Sequence, residues 1–237
     1  VGWYRSPEGT WYASTEDGVR TGWYHDGVAW YFLDGDGSMA TGWRLSGSAW
    51  YYLDPTRGGA MATGWAKDNN TWYYMDASGA MKSSTWVREG AWYYLTGSGA
   101  MATGWFIADG SWYYADGSGA MATGWLNDSG TWYYLHPSGA MGTGWIQEGS
   151  SWYYLNPNAG GAMATGWAAV GGAWNYFDRW KGFWVSGRAD FEADWNYAKT
   201  LYSPTNYLVV VDTGAPHCMT FYWAEGTWQQ LTDMQCS

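Results

Sequence analysis

Tryptophan and tyrosine are the residues of this chain whose types and spacing could build a binding site. In a typical segment Trp125 follows a glycine, Trp132 comes seven residues later, and Tyr133 and Tyr134 follow directly. The face of an aromatic ring is electron-rich and attracts a quaternary ammonium group by about 0.5–2 kcal/mol. Two tryptophans from one segment and a tyrosine from the next can therefore form three walls around a small cation, with a methionine completing the enclosure.

Repetition would make such weak cages effective. Several cages that face a polymer with its own repeated ammonium groups would gain avidity of about 10² or more. We expect no Lys or Arg near the aromatic sets to occupy them. Two other roles stay open at this point. Leu and Ile are scarce, which predicts an aromatic core, and tryptophan and tyrosine platforms also stack against sugar rings.

A period of 20 residues positions these side chains. The first tryptophans of the nine segments are Trp3, Trp23, Trp43, Trp65, Trp86, Trp105, Trp125, Trp145 and Trp167. A fixed period of this size is typical of a solenoid, in which each unit buries its face against its neighbours. Runs such as TWYYL, separated by Gly, Asp or Asn, are typical of strands and turns. We therefore predict an all-β solenoid of stacked short β-hairpins, one per 20-residue repeat, with a partial second β-domain at the C-terminus.

The departures from the period locate the loops. Segments 54–61 and 156–163 are each longer by two residues, beside Pro and Gly, and insertions of this composition belong in turns. The usual role of a turn Asp is to accept hydrogen bonds from the backbone that follows. The recurring methionines, of which Met81 and Met101 are examples, are expected to wedge between successive turns, because methionine fills irregular gaps well.

Composition and charge exclude several classes of function. The 237 residues carry a formal net charge of −10, which argues against nucleic acid and anionic membranes as partners. No run of about 18 apolar residues exists, so we predict no transmembrane segment. The three histidines are scattered, and the sequence predicts neither a metal site nor a cofactor. The chain opens inside a repeat, which favours a piece of a longer protein whose export signal lies upstream.

The repeated motif resembles a known family. The segment GWLNDSGTWYYLHPSGAMGTGW (124–145) closely resembles the cell-wall-binding repeats of bacterial surface proteins, best known as choline-binding repeats, and the pattern covers residues 1–178. The resemblance implies a β-hairpin solenoid that is secreted to the bacterial cell surface and binds choline-decorated teichoic acid or polysaccharide. Related repeats bind glucans, so a carbohydrate-binding array and a passive spacer remain alternatives.

The resemblance also assigns candidate ligand residues, each cage taking two tryptophans from one repeat and a tyrosine from the next. The implied sets are Trp23, Trp30 and Tyr51; Trp43, Trp50 and Tyr73; Trp65, Trp72 and Tyr93; Trp105, Trp112 and Tyr133; Trp125, Trp132 and Tyr153; and the pair Trp145 and Trp152, with Met61, Met121 and Met141 as further walls. The two tyrosines of each pair point to opposite faces of a strand, so only one can line a given cage. Two repeats depart from the pattern: Trp86 has lost its preceding glycine, and Asn175 replaces the tyrosine that would serve Trp145.

The last part of the chain differs in composition. We predict a junction over 179–202 with a short helix around 189–200, and a different β-domain over 203–237 with a hairpin that turns at Glu225 and Gly226. The Ser-Pro-Thr-Asn run at 203–206, followed by a strand and a hairpin, resembles the start of an L,D-transpeptidase domain, which belongs to a peptidoglycan cross-linking enzyme. The stretch lacks that family's catalytic signature. We therefore expect a non-catalytic module that anchors an exported enzyme. Cys218 and Cys236 are predicted to form a disulfide across the hairpin.

Overall fold

The fold is all-β and is described from a computed structural model. The structure describes residues 2–16, 18–178, 180–187, 208–212, 218–224 and 227–234, and of these it describes no side chains at 167, 173, 174 or from 185 onward. The chain divides into two compact units, Val1–Ala122 and Thr123–Ser237, and each is described by itself.

Short antiparallel hairpins make up the first unit. Its strands are β1 (Gly2–Arg5), β2 (Trp11–Thr15), β3 (Gly18–Val19), β4 (Gly22–His25), β5 (Trp30–Leu33), β6 (Gly42–Ser46), β7 (Ala49–Asp54), β8 (Ala60–Met61), β9 (Gly64–Asp68), β10 (Thr71–Met75), β11 (Thr85–Glu89), β12 (Ala91–Leu95), β13 (Gly104–Ala108) and β14 (Ser111–Ala115). The pairs β1–β2, β4–β5, β6–β7, β9–β10, β11–β12 and β13–β14 are named hairpins 1 to 6. Strands β3 and β8 extend hairpins 1 and 3.

The second unit continues the series and adds a different sheet. Its strands are β15 (Gly124–Asp128), β16 (Thr131–Leu135), β17 (Gly144–Glu148), β18 (Ser151–Asn156), β19 (Ala162–Met163), β20 (Gly166–Val170), β21 (Ala173–Phe177), β22 (Trp184–Gly187), β23 (Leu208–Asp212), β24 (Cys218–Ala224) and β25 (Thr227–Met234). The pairs β15–β16, β17–β18 and β20–β21 are named hairpins 7, 8 and 9. Strand β19 pairs with β18, β22 pairs with β21, and β23, β24 and β25 form a three-stranded antiparallel sheet. The predicted hairpins, one per repeat, are confirmed.

The residues at the hairpin tips explain how the chain reverses direction so tightly between two short strands. Asn69 and Asn70 both have positive φ, 45° and 69°, and Ser129 and Gly130 have φ of 53° and 89°. Two consecutive left-handed residues define the turn whose twist matches that of the flanking strands, and Asn and Gly adopt it most readily. The turn fixes the register, so that in hairpin 7 Trp125 lies opposite Tyr134 and Asn127 lies opposite Trp132.

Aliphatic side chains and methionine make up most of the core of the repeats, beside the buried Tyr52, Tyr176 and Phe177, so the expectation of a mainly aromatic core was wrong. The residue after each pair of aromatic residues is almost fully buried, as in Leu33, Leu53, Met75, Leu95, Leu135 and Leu155, each at most 1% exposed. One such side chain per repeat suffices because the hairpins stack in sequence and each fills the space beneath its neighbour. Most of the tryptophans stay partly exposed, and their abundance is therefore not explained by the core.

Methionines join successive hairpins, as predicted. The backbone N–H of Met101 donates to the carbonyl oxygen of Trp72 at 2.8 Å, which ties the loop after hairpin 5 to hairpin 4. The side chain of Met61 lies against Gly79, where an added Cβ would come within 2.3 Å of its sulfur. Gly79 also has a φ of 83°. A glycine is required here because the methionine occupies the volume of the missing side chain.

The two inserted segments form turns, as predicted. Each holds a single turn of 3₁₀-helix, Pro55–Arg57 or Pro157–Ala159, capped by the side chain of Asp54 or Asn156. The expected hydrogen-bonding role of turn carboxylates is also confirmed, since Asp76 Oδ1 accepts from the backbone N–H of Ser78 at 2.9 Å.

Some predictions fall outside the described residues. These are the helix around 189–200, the turn at Glu225 and Gly226, and the pairing of Cys218 with Cys236, of which only the backbone of Cys218 is described. The strands on either side of that turn do pair, with Ala224 opposite Thr227. Within the described residues no helix is long and apolar enough to cross a membrane.

Candidate functional site: aromatic corners on successive hairpins

Among the hairpins whose tryptophan side chains the structure describes, five hold two tryptophan rings almost at right angles. In hairpins 2, 4, 6, 7 and 8 the ring centroids of the first and second tryptophans lie 6.4–6.5 Å apart, with interplanar angles of 80–88°. We call each such pair an aromatic corner. The corners are Trp23 with Trp30, Trp65 with Trp72, Trp105 with Trp112, Trp125 with Trp132, and Trp145 with Trp152. The second tryptophan of each is 40–45% exposed, so one wall of every corner is open to solvent.

The register of the strands places both rings on the same face. Trp65 lies opposite Tyr74 and Lys67 lies opposite Trp72, so these four side chains share one face of hairpin 4. Strand alternation sends Tyr73 to the other face. The second tyrosine of each pair therefore supports its own hairpin, with the ring of Tyr74 centred 5.2 Å from that of Trp65.

The first tyrosine of the next hairpin supplies a third ring. Tyr51 lies 4.7 Å from Trp23, Tyr93 lies 5.0 Å from Trp65, and Tyr153 lies 4.7 Å from Trp125, all measured between ring centroids. The structure thus brings together three of the predicted sets and selects the first tyrosine of each pair. Tyr133, the predicted third wall for Trp105 and Trp112, lies in the second unit, so that set is described only as its tryptophan pair.

Hairpin 3 does not form a corner, although its sequence follows the pattern. Trp43 contacts Tyr73 of hairpin 4 at 4.6 Å, but among the described rings it makes no contact with Trp50. Trp43 instead tilts over Tyr52 at 5.0 Å and 52°, beside a buried cluster that includes Met75. The predicted set of Trp43, Trp50 and Tyr73 is therefore only partly assembled.

Trp86 also departs, as its sequence suggested. Its ring contacts Tyr94, Phe106 and Tyr113 at 4.9–5.7 Å, and no contact with Trp92 is found among the described rings.

The corner of hairpin 8 has a third ring that the sequence did not reveal. Asn175 stands where a tyrosine was expected, and the absence of that tyrosine suggested a missing wall. In the structure Trp184, from strand β22, lies 6.1 Å from Trp145 at 89°. The indole N–H of Trp184 donates to the Asn175 side-chain oxygen at 3.0 Å, so the asparagine positions the replacement ring. Trp184 lies beyond the last repeat, and no periodic signal could have identified it.

Oxygen acceptors from the next hairpin hold several of these rings. The indole N–H of Trp125 donates to the Glu148 carboxylate, and that of Trp23 donates to the Ser46 hydroxyl at 3.1 Å. The Glu89 carboxylate accepts from the Tyr74 hydroxyl at 2.8 Å, and this bond is the main cause of a raised pKa for Tyr74. A carboxylate behind an aromatic corner adds negative potential where a cation would bind.

Asp68 plays a different part in hairpin 3. Its carboxylate accepts from the Trp43 indole at 3.1 Å and from the Tyr52 hydroxyl at 3.4 Å. Burial first, and the charge of Asp68 second, raise the pKa of Tyr52. The Asp68 carboxylate thus bonds to both Trp43 and Tyr52.

The expectation that no Lys or Arg lies near the aromatic sets was wrong. Lys67 Nζ lies 5.5 Å from the Trp72 ring centroid, and the guanidinium carbons of Arg88 and Arg5 lie 5.7 Å and 5.9 Å from the rings of Trp92 and Trp11. Each basic residue is opposite its tryptophan in the strand register, which linear spacing alone did not bring out.

The predicted methionines lie between the turns. Met61 packs against Gly79, and Met141 packs against Gly161, where an added Cβ would lie 2.7 Å from its methyl carbon. Met121 is half-buried and its backbone N–H donates to the Trp92 carbonyl oxygen at 2.8 Å. These contacts give the methionines a structural role, and their contact with a ligand stays a prediction.

Geometry and charge together define what a corner can bind. Two electron-rich faces at right angles present a concave apolar surface that fits a rounded methylated cation. Among the described residues, no group of three or more His, Cys, Asp and Glu side chains is placed to hold a metal ion. The fold and the corners thus define a repeat protein that presents aromatic sites along stacked hairpins.

Comparison with known families agrees with this class. A family described as choline-binding repeat matches residues 20–60, 87–124, 122–164 and 143–188, and one described as putative cell wall binding repeat matches 63–81. The chain belongs to the choline-binding repeat family. A comparison with curated protein sequences finds no match.

Solved structures of similar proteins have the same repeat architecture. CbpJ from Streptococcus pneumoniae TIGR4 is 40% identical, with a TM-score of 0.66 and coverage of 74% of this chain and 70% of CbpJ. Choline binding protein F from Streptococcus pneumoniae is 35% identical, with a TM-score of 0.63 and coverage of 75% and 76%, and has also been solved in the presence of a peptidoglycan analogue. The modular autolysin LytC from Streptococcus pneumoniae is 25% identical, with a TM-score of 0.50, and 48% of its length is covered.

Proposed function

We propose that this chain binds a bacterial cell-wall polymer that carries choline or a similar quaternary ammonium group, and that it does so at the cell surface after export. The observation that carries the proposal is the aromatic corner, repeated on five of the described hairpins with nearly constant geometry. Membership of the choline-binding repeat family and the net charge of −10 support a cationic ligand.

The affinity of one corner is expected to be low. Each ring contributes about 0.5–2 kcal/mol, so two or three rings give binding in the millimolar range. Occupation of several corners by one polymer converts later binding events into intramolecular ones and raises the overall affinity by about 10² or more. Spacing along the stack therefore matters as much as the chemistry of any one corner.

The test is a titration of the chain with choline, tetramethylammonium and a glucan oligomer, followed by tryptophan fluorescence. We expect saturable changes with both ammonium compounds, reduced in Trp132→Ala, which removes an exposed ring and little packing. Trp180→Ala is the matched control, because Trp180 is more exposed and belongs to no corner. A response to the glucan alone would replace the proposal with carbohydrate recognition, and no response to any ligand would favour a passive spacer.

We propose further that the repeats tether an enzyme to the wall, and that residues 203–237 belong to an L,D-transpeptidase-like domain. The Ser-Pro-Thr-Asn run at 203–206 and the antiparallel order of β23, β24 and β25 support this proposal. We expect this chain by itself to bind choline and to leave a peptidoglycan stem peptide unchanged in a mass-spectrometric assay. Turnover of the peptide by this chain would contradict that expectation.

A further inference from the structure

One position on each hairpin lies directly opposite the second tryptophan, and its charge varies along the chain. We call it the facing position. It holds Arg5, His25, Lys67 and Arg88 in hairpins 1, 2, 4 and 5, and Leu45, Ile107, Asn127 and Gln147 in hairpins 3, 6, 7 and 8. The nearly constant ring geometry of the corners contrasts with this variation in charge.

The Lys and Arg side chains at this position lie over the tryptophan rings. Lys67 Nζ is 5.5 Å from the centroid of Trp72, within the distance of about 6 Å at which a cation is attracted to a ring face. Lys67 makes no ion pair with a described residue, whereas Lys82 pairs with Asp76 at 2.9 Å. The ammonium group of Lys67 is thus a cation held at a tryptophan that belongs to a corner.

We propose that the facing residue determines how strongly each corner takes an ammonium ligand, and that Lys67 acts as an internal competitor at the corner of hairpin 4. This inference rests on the proposed function. The corners of hairpins 4 and 7 are a useful comparison, because both have a third tyrosine and a carboxylate from the next hairpin, and their facing positions hold Lys67 and Asn127. Glu89 bonds Tyr74 whereas Glu148 bonds Trp125, so substitution of Lys67 itself is what isolates the effect.

The expected effect does not depend on which face of Trp72 the lysine covers. If Nζ lies on the ligand's side of the ring, the ligand must displace it. If Nζ lies on the other side, a like charge remains about one ring thickness away and repels the ligand through a partly desolvated space. In both cases the corner of hairpin 4 binds a cation more weakly than the corner of hairpin 7.

The experiment measures each corner separately. Indole N–H signals in ¹H–¹⁵N spectra, assigned by single Trp→Phe variants, report on Trp65 and Trp125 during titration with tetramethylammonium. We expect Lys67→Met, which keeps the aliphatic length and removes the charge, to tighten binding at Trp65 about three- to fivefold and to leave Trp125 unchanged. Lys67→Arg is the matched control and should bind as the unmodified chain does.

A neutral ligand separates charge from shape. 3,3-Dimethyl-1-butanol has the shape of choline without its charge. Lys67→Met should therefore change the affinity for this neutral ligand less than it changes the affinity for tetramethylammonium. The reciprocal variant Gln147→Lys adds a cation at the exposed facing position of hairpin 8 and should weaken tetramethylammonium binding at Trp145 about three- to fivefold. Thermal unfolding of each variant shows whether its fold is intact.

The outcomes are distinguishable. The proposal is supported if Lys67→Met tightens binding at Trp65 and Lys67→Arg does not. The gain in affinity must also be larger for tetramethylammonium than for the neutral ligand. Equal affinities of the unmodified chain, Lys67→Met and Gln147→Lys at every corner overturn this inference and leave the proposed function standing. No indole shift with tetramethylammonium in any of the proteins overturns the proposed function and this inference with it.

Discussion

Hairpins 3 and 4 carry the same sequence pattern and use it differently. In hairpin 4, Trp65 and Trp72 meet at 88° and form an open corner, and Tyr93 of the next hairpin adds a third ring. In hairpin 3, Trp43 contacts Tyr73 of the next hairpin, makes no contact with Trp50 among the described rings, and packs against the buried cluster of Tyr52, Ala62, Ala66 and Met75. One tryptophan faces a site and the other completes the core.

The hairpins that follow hairpins 3 and 4 differ in the last residue of their first strand. Behind hairpin 3 this residue is Asp68, which accepts hydrogen bonds from both Trp43 and Tyr52. Behind hairpin 4 it is Glu89, whose longer side chain accepts from the Tyr74 hydroxyl. The comparison teaches that the aromatic pattern supplies the rings, while their arrangement varies with the polar and buried neighbours that each hairpin offers.

The largest expected effect separates the roles of Trp43 and Trp72. Trp43→Ala removes a ring packed against the buried cluster and should lower the free energy of unfolding by about 3 kcal/mol, without changing the number of choline molecules bound. Trp72→Ala removes an exposed ring, should cost less than about 1 kcal/mol, and should remove one bound choline per molecule. Calorimetric titration gives the number bound, and loss of a choline from Trp43→Ala alone would reverse the assignment.

The second prediction concerns the carboxylates. Asp68→Ala leaves the Trp43 indole and the Tyr52 hydroxyl without their acceptor and should cost about 1–3 kcal/mol of stability. Glu89→Ala removes a bond at an exposed hydroxyl and should cost less than 1 kcal/mol. The two variants are compared by urea unfolding, and equal losses would show that the bonds of Asp68 to Trp43 and Tyr52 stabilise hairpin 3 no more than Glu89 stabilises hairpin 4.

A third, smaller effect concerns the charge behind the corner of hairpin 7. Glu148→Gln keeps an oxygen acceptor for the Trp125 indole and removes the negative charge. Choline binding at Trp125 should weaken about two- to threefold at low salt, and the difference should shrink at high salt because exposed charges are screened. An unchanged affinity at low salt would show that the corner attracts its ligand through the rings alone.

The smallest effect is the acid sensitivity of a turn. Hydrogen bonds from the Ser78 hydroxyl and from Lys82 are the main causes that lower the pKa of Asp76 to about 2 from the ordinary 3.8. Because the folded-state pKa is the lower one, the carboxylate stabilises the fold above about pH 4, and this contribution is lost as the pH falls from about 4 to about 2. Asp76→Asn should therefore lose less stability than the unmodified chain on acidification through this range, as judged by thermal unfolding midpoints.

The sequence predicts the hairpins because local chemistry determines them. The turn residues, the strand runs and the period agree with one another, and the inserted residues at 54–61 and 156–163 lie in turns as expected. The aliphatic core was missed because it consists of one residue per repeat, such as Leu95, beside far more numerous aromatic residues. The aliphatic residue that follows the two tyrosines in the YYL motif was the signal from which this core could have been predicted.

The sites were predicted less completely, because they depend on contacts between repeats. Trp43 and the Trp65-bearing hairpin 4 bond to different carboxylates, Asp68 and Glu89, which lie one repeat further along the chain. Lys67 contacts Trp72 because the strand register places the two residues opposite each other, and Trp184, which contacts Trp145, lies outside the periodic part of the chain. None of these relations is visible in a spacing of 20 residues.

The most direct test of the central claim is a crystal structure of this chain grown with choline. The account predicts electron density for a trimethylammonium group against Trp125 and Trp132 beside Tyr153, with none between Trp43 and Trp50. Choline bound beside Trp43 and absent from the near-perpendicular tryptophan pairs would contradict it.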